Sequence, residues 1–358
     1  MGRVRPAVLI AFLLMQLAFV IGPAAAAFGG SVQEDGPTDE QILSHWRDEW
    51  GRQTFERTGT GRWQQHKVWH RLANANFPPG TNEFTSQPVI PDPAGLITAQ
   101  IEVWNRTVGN RTEHQVTERI TPDVGPQFVN YFPTFSGNAG EFTFFNAAGS
   151  APGEFRYTCR VRSYQGRQFL LVRAISPDNG TGRSVLYSSW GLTADTAPPP
   201  ASWLISQFRE LWGVADFQAS GATPWQVIAK WKRTGIIIFD PEDTEFTARP
   251  PRTVPERQKF LYMFSRTVNG RAEYQVTEWN TEPDDSISLN YFPVFEGTPD
   301  RFTFYNAGAR FVPVPGEYQE SNRTLTVAGQ TVLTARTIAP DGRIIYQLLE
   351  PTTEAPPI

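Results

Sequence analysis

From about residue 60 onward, apolar and polar positions alternate with a period of two, in short runs that recur almost to the C-terminus. The runs are rich in β-branched and aromatic residues, which suit a pleated, half-buried surface. In the first half they predict strands near 62–72, 95–108, 111–120, 126–135, 141–148, 153–163, 167–176 and 183–190. In the second half the strands fall near 224–233, 257–268, 271–280, 286–295, 301–307, 315–327, 330–338 and 342–349. Turn residues separate them, among them Gly109-Asn110, Gln165-Gly166, Asn269-Gly270 and Asp341-Gly342. Asn-Gly is the favoured type I′ hairpin pair, and consecutive hairpins make antiparallel neighbours. Pro133 and Pro293 each interrupt a strand pattern and predict a bulge or a local edge there.

Two stretches have a helical period instead. Ile42, Leu43, Trp46 and Trp50 follow the cap-like Thr38-Asp39-Glu40-Gln41, and Leu204, Ile205, Phe208 and Trp212 repeat their spacing. Gly51 and Gly213 suit the left-handed residue that follows a helix.

The whole pattern is written twice. Asn130-Tyr131-Phe132-Pro133-Thr134-Phe135 returns 160 residues on as Asn290-Tyr291-Phe292-Pro293-Val294-Phe295, and Gln115-Val116-Thr117-Glu118 returns as Gln275-Val276-Thr277-Glu278. Ser44, Arg47 and Trp50 return as Ser206, Arg209 and Trp212, and Arg173 returns as Arg336. Order and spacing hold over about 140 residues, so one domain has been duplicated. The expected organisation is a leader at 1–27, copy A at 38–190, a Pro-rich linker at 191–202, copy B at 203–350 and a disordered tail at 351–358.

The chain has 358 residues, enough for two domains. With 40% hydrophobic and 19% charged residues it can bury cores, which excludes wholesale disorder. A formal charge of −4 provides no basic field for nucleic acid. Cys159 is the single cysteine, which excludes a disulfide scaffold and a cysteine-based zinc site. Arg3 and Arg5, the apolar Ala7–Ile21 and the small residues Ala24–Ala27 form a secretory signal pattern. The expected location is therefore secreted or periplasmic, with no membrane span in the mature form. N-x-T sequons stand at Asn105, Asn110, Asn179 and Asn322.

Eight antiparallel strands after a short helix can close into an up-and-down barrel, which removes exposed edges. The fold class expected is all-β with one short helix per unit: two tandem antiparallel up-and-down eight-stranded β-barrels, with a sandwich as the alternative. Gly61-Arg62-Trp63 resembles the G-x-W that opens the first strand of the calycin, or lipocalin-like, barrels. Copy B keeps the Trp of this motif in Thr223-Pro224-Trp225 and lacks the Gly. The resemblance implies an apolar cavity at one barrel end that takes small hydrophobic ligands.

The polar residues written into both copies are the candidate ligand-orienting groups. With the two motif tryptophans they form the set Trp63, Gln115, Glu118, Asn130 and Arg173, and Trp225, Gln275, Glu278, Asn290 and Arg336. Strand alternation puts Gln115 and Thr117 on one face and Glu118 on the other. A buried Arg173 near Glu118 would form a charge-assisted network, which either orients a ligand or fixes barrel register. His66 and His70, with His45 or His114, offer imidazoles for a metal, but copy B replaces the pair with Ile228 and Lys232. No cofactor, metal or catalytic residue is expected, because no nucleophile-elbow, zincin, P-loop or dinucleotide motif occurs. The expected function is non-catalytic binding of a small apolar or amphipathic ligand. The alternatives are a surface-interaction protein with filled barrels, and a barrel enzyme in which Glu118 beside Arg173 does acid–base chemistry.

Overall fold

The computed structural model describes residues 38–50, 63–90, 97–147, 154–176, 184–212, 223–281, 285–307, 317–327, 329–339 and 341–355. The leader at 1–27, Gly61-Arg62, the helix-ending Gly51 and Gly213, and the sequon at Asn179 lie outside them.

The described residues are all-β apart from two short helices. Copy A contributes α1 (Asp39–Trp50), β1 (Gln64–Phe77), β2 (Thr98–Val108), β3 (Arg111–Thr121), β4 (Phe128–Tyr131), β5 (Phe135–Ser136), β6 (Glu141–Ala147), β7 (Glu154–Tyr164), β8 (Arg167–Ile175) and β9 (Val185–Gly191). Copy B contributes α2 (Ala201–Trp212), β10 (Gln226–Phe239), β11 (Lys259–Val268), β12 (Arg271–Thr281), β13 (Ile287–Tyr291), β14 (Arg301–Ala307), β15 (Glu317–Val327), β16 (Gln330–Ile338) and β17 (Ile344–Pro351). Each predicted strand overlaps an observed one, but β1 and β10 run on to Phe77 and Phe239, and the fourth strands stop at Tyr131 and Tyr291. At Asn269-Gly270 both residues have positive φ, 50° and 82°, as a type I′ turn needs. Thr38 and Gln41 cap α1 reciprocally: the Gln41 N–H donates to Thr38 Oγ1 at 3.3 Å and the Thr38 N–H to Gln41 Oε1 at 2.9 Å.

The strands join into one ladder. Its order is β6-β7-β8-β9-β1-β2-β3-β4-β13-β12-β11-β10-β17-β16-β15-β14, with β5 as a second neighbour of β3. Every pairing is antiparallel except β4 with β13, which is parallel and joins the copies. Among the described residues no pairing links β4 to β6, β13 to β14, or β6 to β14. Among the described residues the ladder is therefore open, and it does not establish two separately closed eight-stranded barrels. Pro133 and Pro293 each end a fourth strand early, because proline has no N–H to give the ladder. The short β4 and β13 pair with one another.

The seam also exchanges faces. Directly opposed residues share a face, and across the seam Asn130 opposes Leu289 while Tyr131 opposes Asn290. The equivalent residues Asn130 and Asn290 thus point to opposite sides of the sheet. One continuous core holds Trp69, Val103, Val116, Phe144 and Val172 of copy A together with Leu289 and Tyr291 of copy B. The matching interior of copy B is separate, with Trp231, Met263, Val276, Phe302 and Ala335.

The helices cross over as well. Ile42, Leu43, Trp46 and Trp50 of α1 pack on Ile237, Phe239, Val332, Tyr346 and Leu348 of copy B. Leu204, Phe208 and Trp212 of α2 pack on Leu72, Phe77, Phe169, Leu171 and Tyr187 of copy A. This explains the unbroken apolar run Phe169-Leu170-Leu171-Val172. Leu170 and Val172 face the interior, Phe169 and Leu171 face α2, and all four are buried.

Candidate functional site

β3 sets the geography of copy A. Val116 and Ile120 belong to the interior core, and Glu118 lies between them on the same face. Gln115 and Thr117 take the other face, as alternation requires. Asn130 stands opposite Glu118 in the β3–β4 pairing and donates from Nδ2 to Glu118 Oε2 at 3.0 Å. Burial pushes the Glu118 carboxyl above its ordinary range, outweighing the Asn130 hydrogen bond and the charge of Arg71, both of which favour the anion. Tyr157, Cys159 and the copy B residue Tyr291 complete the surroundings. Burial, aided by Glu118, raises all three above their ordinary values, so each stays protonated at neutral pH. The Phe132 ring stacks on Phe144 at 4.9 Å and on Tyr291 at 6.0 Å, so the wall of this site is built across the seam.

Copy B keeps Glu278 opposite Asn290 and surrounds the pair differently. Lys259 Nζ lies 2.8 Å from Glu278 and 3.0 Å from Glu320, with all three side chains buried. Burial opposes the Lys259 ammonium, but the two carboxylates overcome it and hold its pKa above the usual range. Thr337 Oγ1 donates to Glu320 at 3.1 Å, and Gln347 Nε2 donates to Thr337 at 3.0 Å. At the corresponding ladder positions copy A carries Ala99 for Lys259, Tyr157 for Glu320, Ala174 for Thr337 and Ser188 for Gln347. The same frame therefore surrounds a paired ionic cluster in copy B and a largely apolar core with Glu118 in copy A.

The remaining sequence candidates do not face these interiors. Arg106 stacks over Trp63 at 4.4 Å and ion-pairs with Glu113 at 2.9 Å, on the Gln115 face of β3. Arg266 repeats this over Trp225 at 4.4 Å and pairs with Glu273 at 2.8 Å. Gln115 and Gln275 donate to the carbonyls of Phe132 and Phe292 at 3.0 and 3.1 Å. Those carbonyls precede Pro133 and Pro293, so the two amides tie down the backbone where proline has broken the ladder. Arg173 is not beside Glu118. It alternates away from Leu170 and Val172 and faces α2, where Nε donates to Glu83 at 3.0 Å and Tyr187 donates to the same carboxylate. Arg336, Glu245 and Tyr346 repeat this triad, with Tyr346 donating to Glu245 at 2.8 Å. The Glu118–Arg173 geometry required for acid–base chemistry is therefore absent.

Sequence reasoning passed over four of these groups. Glu83-Phe84-Thr85 returns as Glu245-Phe246-Thr247 at an offset of 162, a duplicate within stretches taken for loops. Arg71 returns as Arg233, both bonding a backbone carbonyl of the next segment, Ile97 and Arg257. Tyr157 and Lys259 have no counterpart of their own type, so no repeat signal marked them. Two earlier details also change. His66 occupies the β1 irregularity between Gln65 and Lys67, which breaks the simple alternation with His70. The sequon residue Asn322 is fully buried.

No family model matches the chain, and no curated protein matches it. Among solved structures it is similar to a protein of unknown function of the DUF3598 family from Nostoc punctiforme, at 11% identity. That match covers 80% of this chain and 96% of the other, with a TM-score of 0.18. It is also similar to the isotype 1 transferrin binding protein B of serogroup B Neisseria meningitidis, at 7% identity. The cover there is 82% and 79%, and the TM-score is 0.19. TM-scores this low carry no argument about function. No described helix is long and apolar enough to cross a membrane.

Proposed function

We propose that the protein is an extracytoplasmic, non-catalytic binder of a small apolar or amphipathic ligand, held in the calycin-like interior of copy A beside Glu118. The observation that carries this reading is the contrast between the copies. In copy B the interior polar groups answer one another, with Lys259 between Glu278 and Glu320. In copy A the single acid Glu118 has Asn130 as its hydrogen-bond partner among apolar and aromatic walls. An apolar enclosure with a few convergent polar groups is the usual make-up of a small-molecule site. In copy B the paired cluster favours a structural role, so the ligand is assigned to copy A alone. Residues 1–27, read as a secretory signal, support the extracytoplasmic assignment.

Native mass spectrometry of the protein purified from its source tests the reading. A non-covalent small-molecule adduct at one per chain is expected, and Asn130→Ala should weaken its retention. A chain free of adduct that also takes up no apolar fluorescent probe would remove the binder assignment.

A further inference from the structure

The hairpin of β7 and β8 carries a basic and aromatic patch outside the copy A interior. Its turn, Gln165-Gly166, has positive φ at both residues, 49° and 75°. On the face toward α2 the ladder pairs Tyr164 with Arg167, Arg162 with Phe169 and Arg160 with Leu171. Trp203, in the first turn of α2, completes the patch: its ring lies 4.9 Å from Tyr164 and 6.3 Å from Phe169. Arg167 is exposed, and Tyr164, Arg162, Arg160 and Trp203 are half-buried, so solvent reaches the patch without any movement of the core. Backbone and ring contacts hold these arginines. Arg160 donates to the carbonyls of Cys159 and Phe142 at 2.8 and 3.4 Å, Arg162 to that of Val161 at 3.0 Å, and Arg167 to that of Ala197 at 3.2 Å. Arg167 also lies 5.4 Å from the Phe169 ring centroid. Two exposed acids stand near: Glu141, 4.0 Å from Arg162, and Asp195, which feels the Arg167 charge. Exposed ion pairs of this kind are weak and leave a guanidinium open to a second partner.

Copy B builds the same hairpin from other residues. Leu325, Val332 and Gln330 stand at the places of Arg162, Phe169 and Arg167, and Gln41, which caps α1, at that of Trp203. Arg323 matches Arg160, but α1 gives it a carboxylate, Glu49, at 2.8 Å. α2 carries Leu211 at the position of Glu49. Copy A therefore has two more cations here, more aromatic surface and no helix carboxylate, and copy B shows that the fold itself requires none of this.

We propose that this patch binds an acidic saccharide chain, a run of uronic acid units. The rings of Trp203 and Tyr164 give the apolar C–H face of a pyranose a platform. Arg162 and Arg167, flanking Phe169, present guanidinium forks to the sugar carboxylates. The formal charge of the whole chain is −4, so attraction of a polyanion is confined to a local patch such as this one. An acidic peptide meets the same arginines but brings no ring to the platform, which makes it the comparison.

Affinity electrophoresis of the full chain through gels holding polygalacturonate, dextran or polyglutamate tests the proposal. Polygalacturonate should retard the chain, with an affinity about tenfold or more above that for dextran or polyglutamate, and added salt should weaken the retardation. Arg162→Leu, Arg167→Gln and Trp203→Gln each install the residue that copy B carries, so the frame tolerates them, and an unchanged near-ultraviolet dichroism spectrum reports the fold. Each should weaken polygalacturonate binding about fivefold or more. Gln330→Ala, at the matching place in copy B, should leave binding intact. Polyglutamate bound as tightly as polygalacturonate, with no loss in Trp203→Gln, would make this a site for acidic protein and overturn the saccharide. Absence of retardation by polygalacturonate, or retardation untouched by all three substitutions, overturns the patch itself.

Discussion

Arg47 of α1 donates through Nη2 to the Ala248 carbonyl at 2.6 Å, and Ala248 belongs to the other copy. The partner relationship is Arg209 to the Ser86 carbonyl at 2.9 Å. Arg209 is 162 residues beyond Arg47, and Ala248 is 162 beyond Ser86, so each copy gives the other the same contact. Reciprocal contacts between equivalent residues define an isologous interface. Here that interface is written within one chain, with the parallel β4–β13 pairing as its seam and the two helices as exchanged arms.

Loss of an α1 side chain should therefore weaken copy B before copy A. Trp46 is fully buried, and its ring stacks on Tyr346 at 4.6 Å. Trp46→Ala removes that ring and leaves a cavity, at a cost of about 3–5 kcal/mol. Hydrogen exchange should speed up first in β10, β16 and β17, which lie under α1, while β8 and β9, under α2, stay protected. Faster exchange confined to β1, β8 and β9 would refute the exchange of helices.

The ionic cluster of copy B should be strongly asymmetric in its response to mutation. Lys259→Met leaves two buried carboxylates facing each other without their cation, and breaking a buried pair costs about 3–5 kcal/mol. The triple change Lys259→Met, Glu278→Gln and Glu320→Gln removes the charges together and should recover most of that loss in guanidinium unfolding. A triple variant as unstable as the single one would show that the cluster contributes net stability beyond mutual charge compensation.

The limits of the sequence follow from particular residues. Strand positions were legible because β-branched and aromatic residues alternate, and the duplication because Asn-Tyr-Phe-Pro stands at both 130 and 290. The helices were legible through Trp46, Trp50, Phe208 and Trp212, but not the copy each one covers. Both copies offer a tyrosine and apolar side chains at the receiving site, Tyr187 with Phe77 and Tyr346 with Phe239, so local pattern cannot distinguish home from neighbour. Pro133 and Pro293 announced broken fourth strands; that the broken strands would pair with each other depends on long-range geometry. Of the ten candidate site residues, Glu118 with Asn130 and Glu278 with Asn290 meet across a shared strand pair. Arg173 was expected near Glu118 because burial was legible and facing was not: one residue of alternation sends it, like Arg336 in copy B, to the helix side, where Glu83 and Glu245 stand in loops.

Glu118 should leave a signature in the pH dependence of stability. Its folded pKa is held above the ordinary range by burial, which outweighs Asn130 and Arg71. Unfolded, it titrates near the usual glutamate value of about 4.3. Between those two values the folded state holds a proton that the unfolded state has released. Stability then falls as pH rises through that window, and the contribution is fully present only below the unfolded value. Glu118→Gln keeps the shape of the side chain and cannot titrate. Glu320 is also raised by burial, so the wild-type curve mixes two groups; the difference between wild type and Glu118→Gln isolates one. In urea unfolding from acid to neutral pH, the variant should gain on the wild type steadily above about pH 4.3 and level off once the folded pKa is passed. A difference curve that is flat would mean that Glu118 ionises as it does in water. One that slopes the other way would mean that Arg71 and Asn130, rather than the apolar wall, govern the acid.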